Sequence, residues 1–182
     1  MNTEQLDLSE LTPFLASVAA AHPDRGGIVF ICIGTDRSTG DSFGPLVGTM
    51  LQERGWPHVT GTLQTPCDAY AVERAVLELP EDAVVIAVDA CLGKPKSVGR
   101  YLCSEGPLQP GQATGRRLPA VGRYSIAAVV NRNGPKAYGM LQTTSLYFVM
   151  QMAKELADAI GEAWGIANNQ AKEESASYVR IF

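Results

Sequence analysis

Apolar residues in this chain follow two patterns: unbroken runs of five or six, and stripes recurring every three to four positions. The purest runs cover residues 28–33 and 83–88. Neither alternates with polar residues, so each predicts a strand buried on both faces, as at the centre of a parallel sheet. Residues 59–65 do alternate and predict a strand nearer the sheet edge; 98–103 and 125–130 predict two more. Phe43, Leu46, Val47, Met50 and Leu51 mark one face of a helix, which Gly55 and Pro57 end. Val72, Ala75, Val76 and Leu79 mark a second, stopped by Pro80, and Leu146, Val149, Ala153, Leu156, Ala157, Ile160 and Trp164 a long third. Ahead of the first strand, residues 1–27 read as an N-terminal helical arm, with Thr12 and Pro13 as N-cap and first helical position. Residues 28–164 then read as one α/β domain and 165–182 as a flexible polar tail. Strands alternating with helices imply right-handed crossovers and a mostly parallel sheet.

Composition narrows the class of function. The length of 182 residues suits one well-buried core. A net charge of −4 offers no basic face for nucleic acid. No apolar run approaches the ~20 residues of a membrane span. Residues 11–21 are apolar-rich but follow acidic residues, unlike a signal peptide, so a cytoplasmic protein is expected. Cys32, Cys67, Cys91 and Cys103 form no CxxC pair and read as structural thiols.

The candidate chemistry begins where the first strand runs into the first helix, through Gly34, Thr35, Asp36, Arg37, Ser38, Thr39, Gly40, Asp41 and Gly44. Open α/β sheets bind ligands at such strand ends. Asp41 falls at the helix start, where the dipole favours its ionised form. Alone, it is most simply a helix cap. A second carboxylate, Asp89, just past the other buried run changes that, because these two strands are neighbours in a doubly wound sheet. Two carboxylates in one crevice divide into an ionised base and a protonated acid. Asp89, closer to apolar residues, is the one whose pKa should rise. Asp36 and Asp68 are auxiliaries at the same rim. Loops at 106–122, bearing Arg116 and Arg117, and at 131–139, beginning with Asn131, are placed to frame a substrate. His22 and His58 both precede strands and so belong at the opposite edge, which argues against Ser-His, Cys-His and His-zinc chemistry. The chain has no G-x-S-x-G elbow, P-loop or G-x-G-x-x-G fingerprint.

Gly34-Thr35, Thr39-Gly40-Asp41-Ser42-Phe43-Gly44-Pro45 and Ile86-Ala87-Val88-Asp89-Ala90 resemble the core of the bacterial spore germination protease, whose two essential aspartates fall on Asp41 and Asp89. The same skeleton is similar to the HybD-like hydrogenase maturation proteases, in which a Glu takes the place of Asp41. A fuller resemblance, over about residues 27–163, is to the sporulation protein YyaC family of endospore formers, through CIGTDRSTGDSFGPLVGT, AVDACLGK, GPLQPG and LPAVGRYSI. It implies a three-layer α/β/α sandwich with a mixed, mostly parallel five-stranded sheet ordered 2-1-3-5-4, its antiparallel strand at 98–103. Two departures stand out. The chain has no obvious pro-segment like that of the germination protease. No His follows His58, where the hydrogenase enzymes use a nickel-binding His. The expectation is a sporulation-associated endopeptidase of the cell or spore interior, with Asp41 and Asp89 activating water against a protein or peptide substrate. Gly34, Thr35, Asp36, Thr39, Gly40, Gly44, Asp68, Arg116, Arg117 and Asn131 are its supporting or substrate-binding residues. No cofactor, metal, nucleic acid or membrane is expected, and homo-oligomerisation is left open. The alternative is a non-catalytic peptide- or anion-binding protein on the same fold, using amides at the helix start.

Overall fold

The two unbroken apolar runs lie side by side at the centre of one sheet. A computed structural model describes residues 4–111 and 118–166; Arg116, Arg117 and the tail from residue 167 fall outside them. The strands are β1 (Glu4–Leu6), β2 (Ile28–Cys32), β3 (Val59–Thr60), β4 (Val84–Gly93), β5 (Tyr101–Glu105) and β6 (Tyr124–Arg132). Their order is β1-β5-β6-β4-β2-β3. β3, β2, β4 and β6 run parallel; β5 pairs antiparallel with β6, and β1 pairs antiparallel with β5 and so runs in the direction of the other four. The five expected strands therefore stand in the expected order, and a sixth joins beyond them. The expected strand at 59–65 shrinks to two residues, because Gly61, at φ +94°, turns the chain away from β2.

The two sheet faces are covered unequally. Ile28, Phe30, Cys32, Ile86, Val88, Tyr124, Ile126 and Ala128 point to one face, where they meet α1 (Leu8–Ala21), α2 (Phe43–Glu53) and α5 (Leu146–Ala163). The α5 stripe of Val149, Ala153, Leu156, Ala157 and Ile160 is wholly buried there. Each such Leu or Ile contributes roughly 1.5–3 kcal/mol through burial. Val29, Ile31, Ile33, Val85 and Ala87 point to the second face, against Val72 of the short helix α3 (Ala71–Leu77). Over β6 and β5 no helix of the described residues covers that face. Its cover is the irregular segment after β5, pinned by reciprocal 2.9 Å hydrogen bonds between Leu108 and Val121. A further helix, α4 (Ala137–Gln142), begins within the stretch 131–139 that the sequence suggested was a loop and runs beyond it.

The N-terminal residues are part of the sheet and core rather than a detached arm. β1 pairs with β5, and Leu11, Leu15 and Val18 of α1 are buried in the main core. Thr12 and Pro13 do not start the helix. Asp7 caps it, accepting from the Ser9 and Glu10 amides while Glu10 reaches back to the Asp7 amide. Pro13 lies within the helix, and the apolar contacts of its neighbours hold the turn that proline would otherwise weaken.

Candidate active site

Where β2 stops, β4 goes on. Cys32 is the last residue of β2 and pairs with Val88, so Asp89 is the first residue of β4 to lose its β2 partner. Asp89 thus lies inside β4 rather than past its end, because pairing with β6 carries β4 on to Gly93. Its cross-strand neighbour is Ala127 on β6, and beyond Ala127 stands Leu102 on β5. The half-buried Asp89 carboxylate accepts from the Ala90 amide at 2.7 Å.

Asp41 reaches the same place through a folded-back loop. Gly40–Ser42 form a 3₁₀ turn leading straight into α2, and the Thr35 amide donates to the Asp41 carbonyl at 3.2 Å. This closeness depends on two glycines. Gly34 has φ +141°, and a Cβ there would lie 2.0 Å from the Asp41 carbonyl oxygen; a Cβ on Gly44 would lie 2.0 Å from the Ile33 carbonyl oxygen. Neither clash involves a side chain that could swing away. Gly34→Ala and Gly44→Ala should therefore each lower unfolding free energy by ~2–4 kcal/mol in urea titrations. Gly27→Ala, with no atom within 4 Å of its Cβ, serves as the control. A Gly34→Ala protein as stable as that control would disprove the close approach.

Asp41, Asp89 and Gly34 line one cleft of about 470 Å³. The segment after β5 contributes Pro107, Leu108, Gln109, Gly111 and Leu118; Asn133, Ala137 and Leu141 close the other side. Burial raises the Asp41 pKa to about 6, helped by the charge of Asp68 and opposed by the Thr35 amide. The helix start was expected to hold Asp41 fully ionised; burial outweighs it. Burial pushes Asp89 well above the ordinary carboxylate range, and the charge of Asp41 pushes it further, against the pull of the Ala90 amide. Burial thus favours the protonated form at both carboxyls, and the charge of Asp41 adds to that pull at Asp89.

Apart from Gly34, the described residues singled out from the sequence as supporting groups do not line this cleft. Asp68 accepts from the Tyr70 and Ala71 amides at the start of α3 and pairs with Arg37 at 3.0 Å. The Thr35 hydroxyl accepts from the Arg37 amide and Nε, while Asp36 is exposed. The Thr39 carbonyl accepts from Ser42 Oγ at 2.6 Å. Gly40 packs against the Leu141 carbonyl, and Asn131 Nδ2 donates to the Met140 carbonyl and to Thr144 Oγ1. Both contacts seat α4 over the loop. Arg116 and Arg117 lie outside the described residues.

The donor set does not suit a metal of the nickel kind. Among the described residues no three His, Cys, Asp or Glu side chains are grouped to hold one. His22 meets the Tyr124 hydroxyl at 3.1 Å, at the amino end of β6, and His58 precedes β3. Burial and neighbouring carboxylates push the Cys67 thiol up to about 11 and Cys91 to about 12, so both keep their protons at neutral pH.

Comparison with known proteins places the chain. A family model described as "Protein of unknown function (DUF1256)" matches residues 1–159. The chain belongs to the DUF1256 family. It is 46% identical over 138 residues to "Uncharacterized protein YyaC" of Bacillus subtilis (strain 168), covering 73% of this chain and 67% of that one. Its fold is similar to that of the NiFe hydrogenase maturation protease HycI from Thermococcus kodakarensis KOD1. The TM-score is 0.54 at 22% identity, over 84% of this chain and 99% of the other. The DUF1256 chain thus has the α/β architecture of a maturation protease. Sequence reasoning missed the cleft floor, formed by Ser125 and Ala127 of β6 and Leu102 and Ser104 of β5. The signal was present as small residues two apart on β6, which leave space on one face.

Proposed function

We propose that this DUF1256 protein is a sporulation-associated endopeptidase in which Asp41 and Asp89 activate a water molecule against a peptide carbonyl. The observation that carries this reading is the opening of two half-buried carboxyls, both with pKa values raised by burial, into one cleft. The architecture shared with a maturation protease supports a peptide bond as the target class. The sporulation setting rests on the family motifs in the sequence.

The chemistry balances without a further reactant. Asp41 takes a proton from water as the water oxygen bonds to the carbonyl carbon, and Asp89 gives its proton to the carbonyl oxygen. On collapse, Asp41 passes its proton to the leaving nitrogen, the C–N bond breaks, and Asp89 recovers a proton from the hydroxyl that becomes the new carboxyl. Positioned acid–base groups of this kind contribute ~10²–10⁴-fold in rate. Activity should fall below pH about 6, where Asp41 becomes protonated.

The alternative of anion binding is disfavoured by the same pair, since two carboxyls flank the helix start that an anion would need. A peptide-binding protein without cleavage is the remaining rival. Mass-spectrometric comparison of protein termini in spores with and without the protein separates the two. New termini that vanish with the gene support cleavage; identical terminus profiles defeat it.

The thiols and metals give a second test. Iodoacetamide at pH 7 should leave hydrolysis unchanged, because Cys91 at the cleft keeps its proton until about pH 12. EDTA should also leave it unchanged. Loss in EDTA with recovery on adding one divalent metal would overturn the metal-free mechanism.

A further inference from the structure

The cleft is not symmetrical about the carboxyls. From Asp89 it burrows sideways beneath the segment after β5, across Ala127 to Leu102. That path crosses two strand spacings, roughly 9–10 Å. One row toward the amino end, Ser125 and Ser104 face each other and form its inner limit; both are buried. The recess exists because β6 places the small Ser125 and Ala127 at this point of the face, where the opposite face carries Tyr124 and Ile126. Leu108 and Leu118 roof it. The roof is tied by the Leu108–Val121 pair and by Gln109 Nε2 donating to the Leu118 carbonyl.

We infer that this recess is a specificity subsite that receives one apolar or aromatic side chain adjoining the scissile bond of an extended polypeptide. The inference rests on the peptidase reading above and goes beyond it by naming what the enzyme selects. Three features determine the occupant. The walls are leucine side chains on a floor of small residues, so the recess offers area without a charged partner. Among the described residues lining the cleft the titratable carboxyls are Asp41 and Asp89, and neither stands beside Leu102 or Leu108 in the recess itself, whose described lining is Leu, Ala and Ser. The depth matches a leucine, methionine or phenylalanine side chain reaching in from a backbone held beside Asp89. Ala127 sets the room available, and Leu102 sets the depth.

The test uses the full chain and a proteome-derived peptide library, with cleavage sites read by mass spectrometry. The wild type should cut next to Leu, Met or Phe. Ala127→Val, which raises the floor, should shift the ratio of large to small residues at that position at least ~10-fold toward Ala and Gly. Leu102→Ala, which deepens the recess, should shift it toward Phe and Trp. Because the two changes act in opposite directions, failure of either variant to fold leaves the other as the test. An unchanged preference in both folded variants overturns the subsite. Asp41→Asn is assayed in parallel. If it cleaves as the wild type does, the peptidase reading falls on its own account. In that case, or if the wild type cuts nothing in the library, NMR titration with N-acetyl-phenylalaninamide decides. Shifts at Ala127 and Leu102 that Ala127→Val removes support the subsite, and no shifts there overturn it.

Discussion

Asp41→Asn and Asp89→Asn should each lower peptide-bond hydrolysis by at least ~10²-fold while leaving the fold intact. The two losses have different causes. Asparagine at position 41 cannot take a proton from water, so the base is lost. Asparagine at position 89 resembles the protonated carboxyl in shape, and its Oδ1 can still accept the Ala90 amide, but it has no acid proton to deliver. Their pH profiles should therefore differ. The residual rate of Asp41→Asn should lose the fall below about 6 that the Asp41 carboxyl imposes, and that of Asp89→Asn should keep it. Neither variant adds bulk at a core position, so circular dichroism should remain native. The decisive measurement is kcat/KM from pH 4.5 to 8.5 on a cleaved library peptide. Full activity in either variant would remove the dyad from the mechanism.

The central sheet was legible because its information is local. Residues 28–33 and 83–88 are apolar at every position, and such runs are stable only when covered on both faces, which places β2 and β4 side by side. The glycines at 34, 40 and 44 announced a tight strand-to-helix passage. What could not be read depended on unequal lengths of paired strands. Asp89 stands at the crevice because β2 ends at Cys32 while β6 continues alongside β4, and no residue near Asp89 encodes where β2 stops. The N-terminal helix was misplaced for a different reason. Thr12 and Pro13 form a fair start signal, but the capping box of Asp7 with Glu10 and the burial of Leu11 in the tertiary core together favour the earlier start. Asn131 and Asp68 illustrate a third limit. Both are polar residues at a strand or helix end near the cleft, as catalytic groups would be, yet their side chains are engaged in seating α4 and starting α3. Residue type and position cannot separate a group that holds the loop from one that faces the substrate.

The burial that raises both pKa values also makes the pair a stability burden, with a definite dependence on pH. A carboxyl whose folded pKa lies above its unfolded value binds more protons in the folded state. Its contribution to stability is fully present below about pH 4 and is lost as pH rises toward the folded pKa. For Asp41 that loss runs from about 4 to about 6; for Asp89, raised further, it continues above. Asp89→Asn should therefore be more stable than the wild type at pH 7, and the gap should close toward pH 4. Asp41→Asn should gain less, with its gain complete near pH 6. Because removing the charge at 41 also relieves Asp89, the double variant should gain less than the sum of the two. Asp7 and Asp158, whose pKa values are lowered, act in the opposite direction but equally in every variant, so the difference from wild type isolates the pair. Urea unfolding across pH 4 to 8 measures it. A stability difference that stays constant with pH, or an Asp89→Asn protein less stable than wild type at pH 7, would show that Asp89 is held ionised. A buried ionised Asp89 could not serve as the acid.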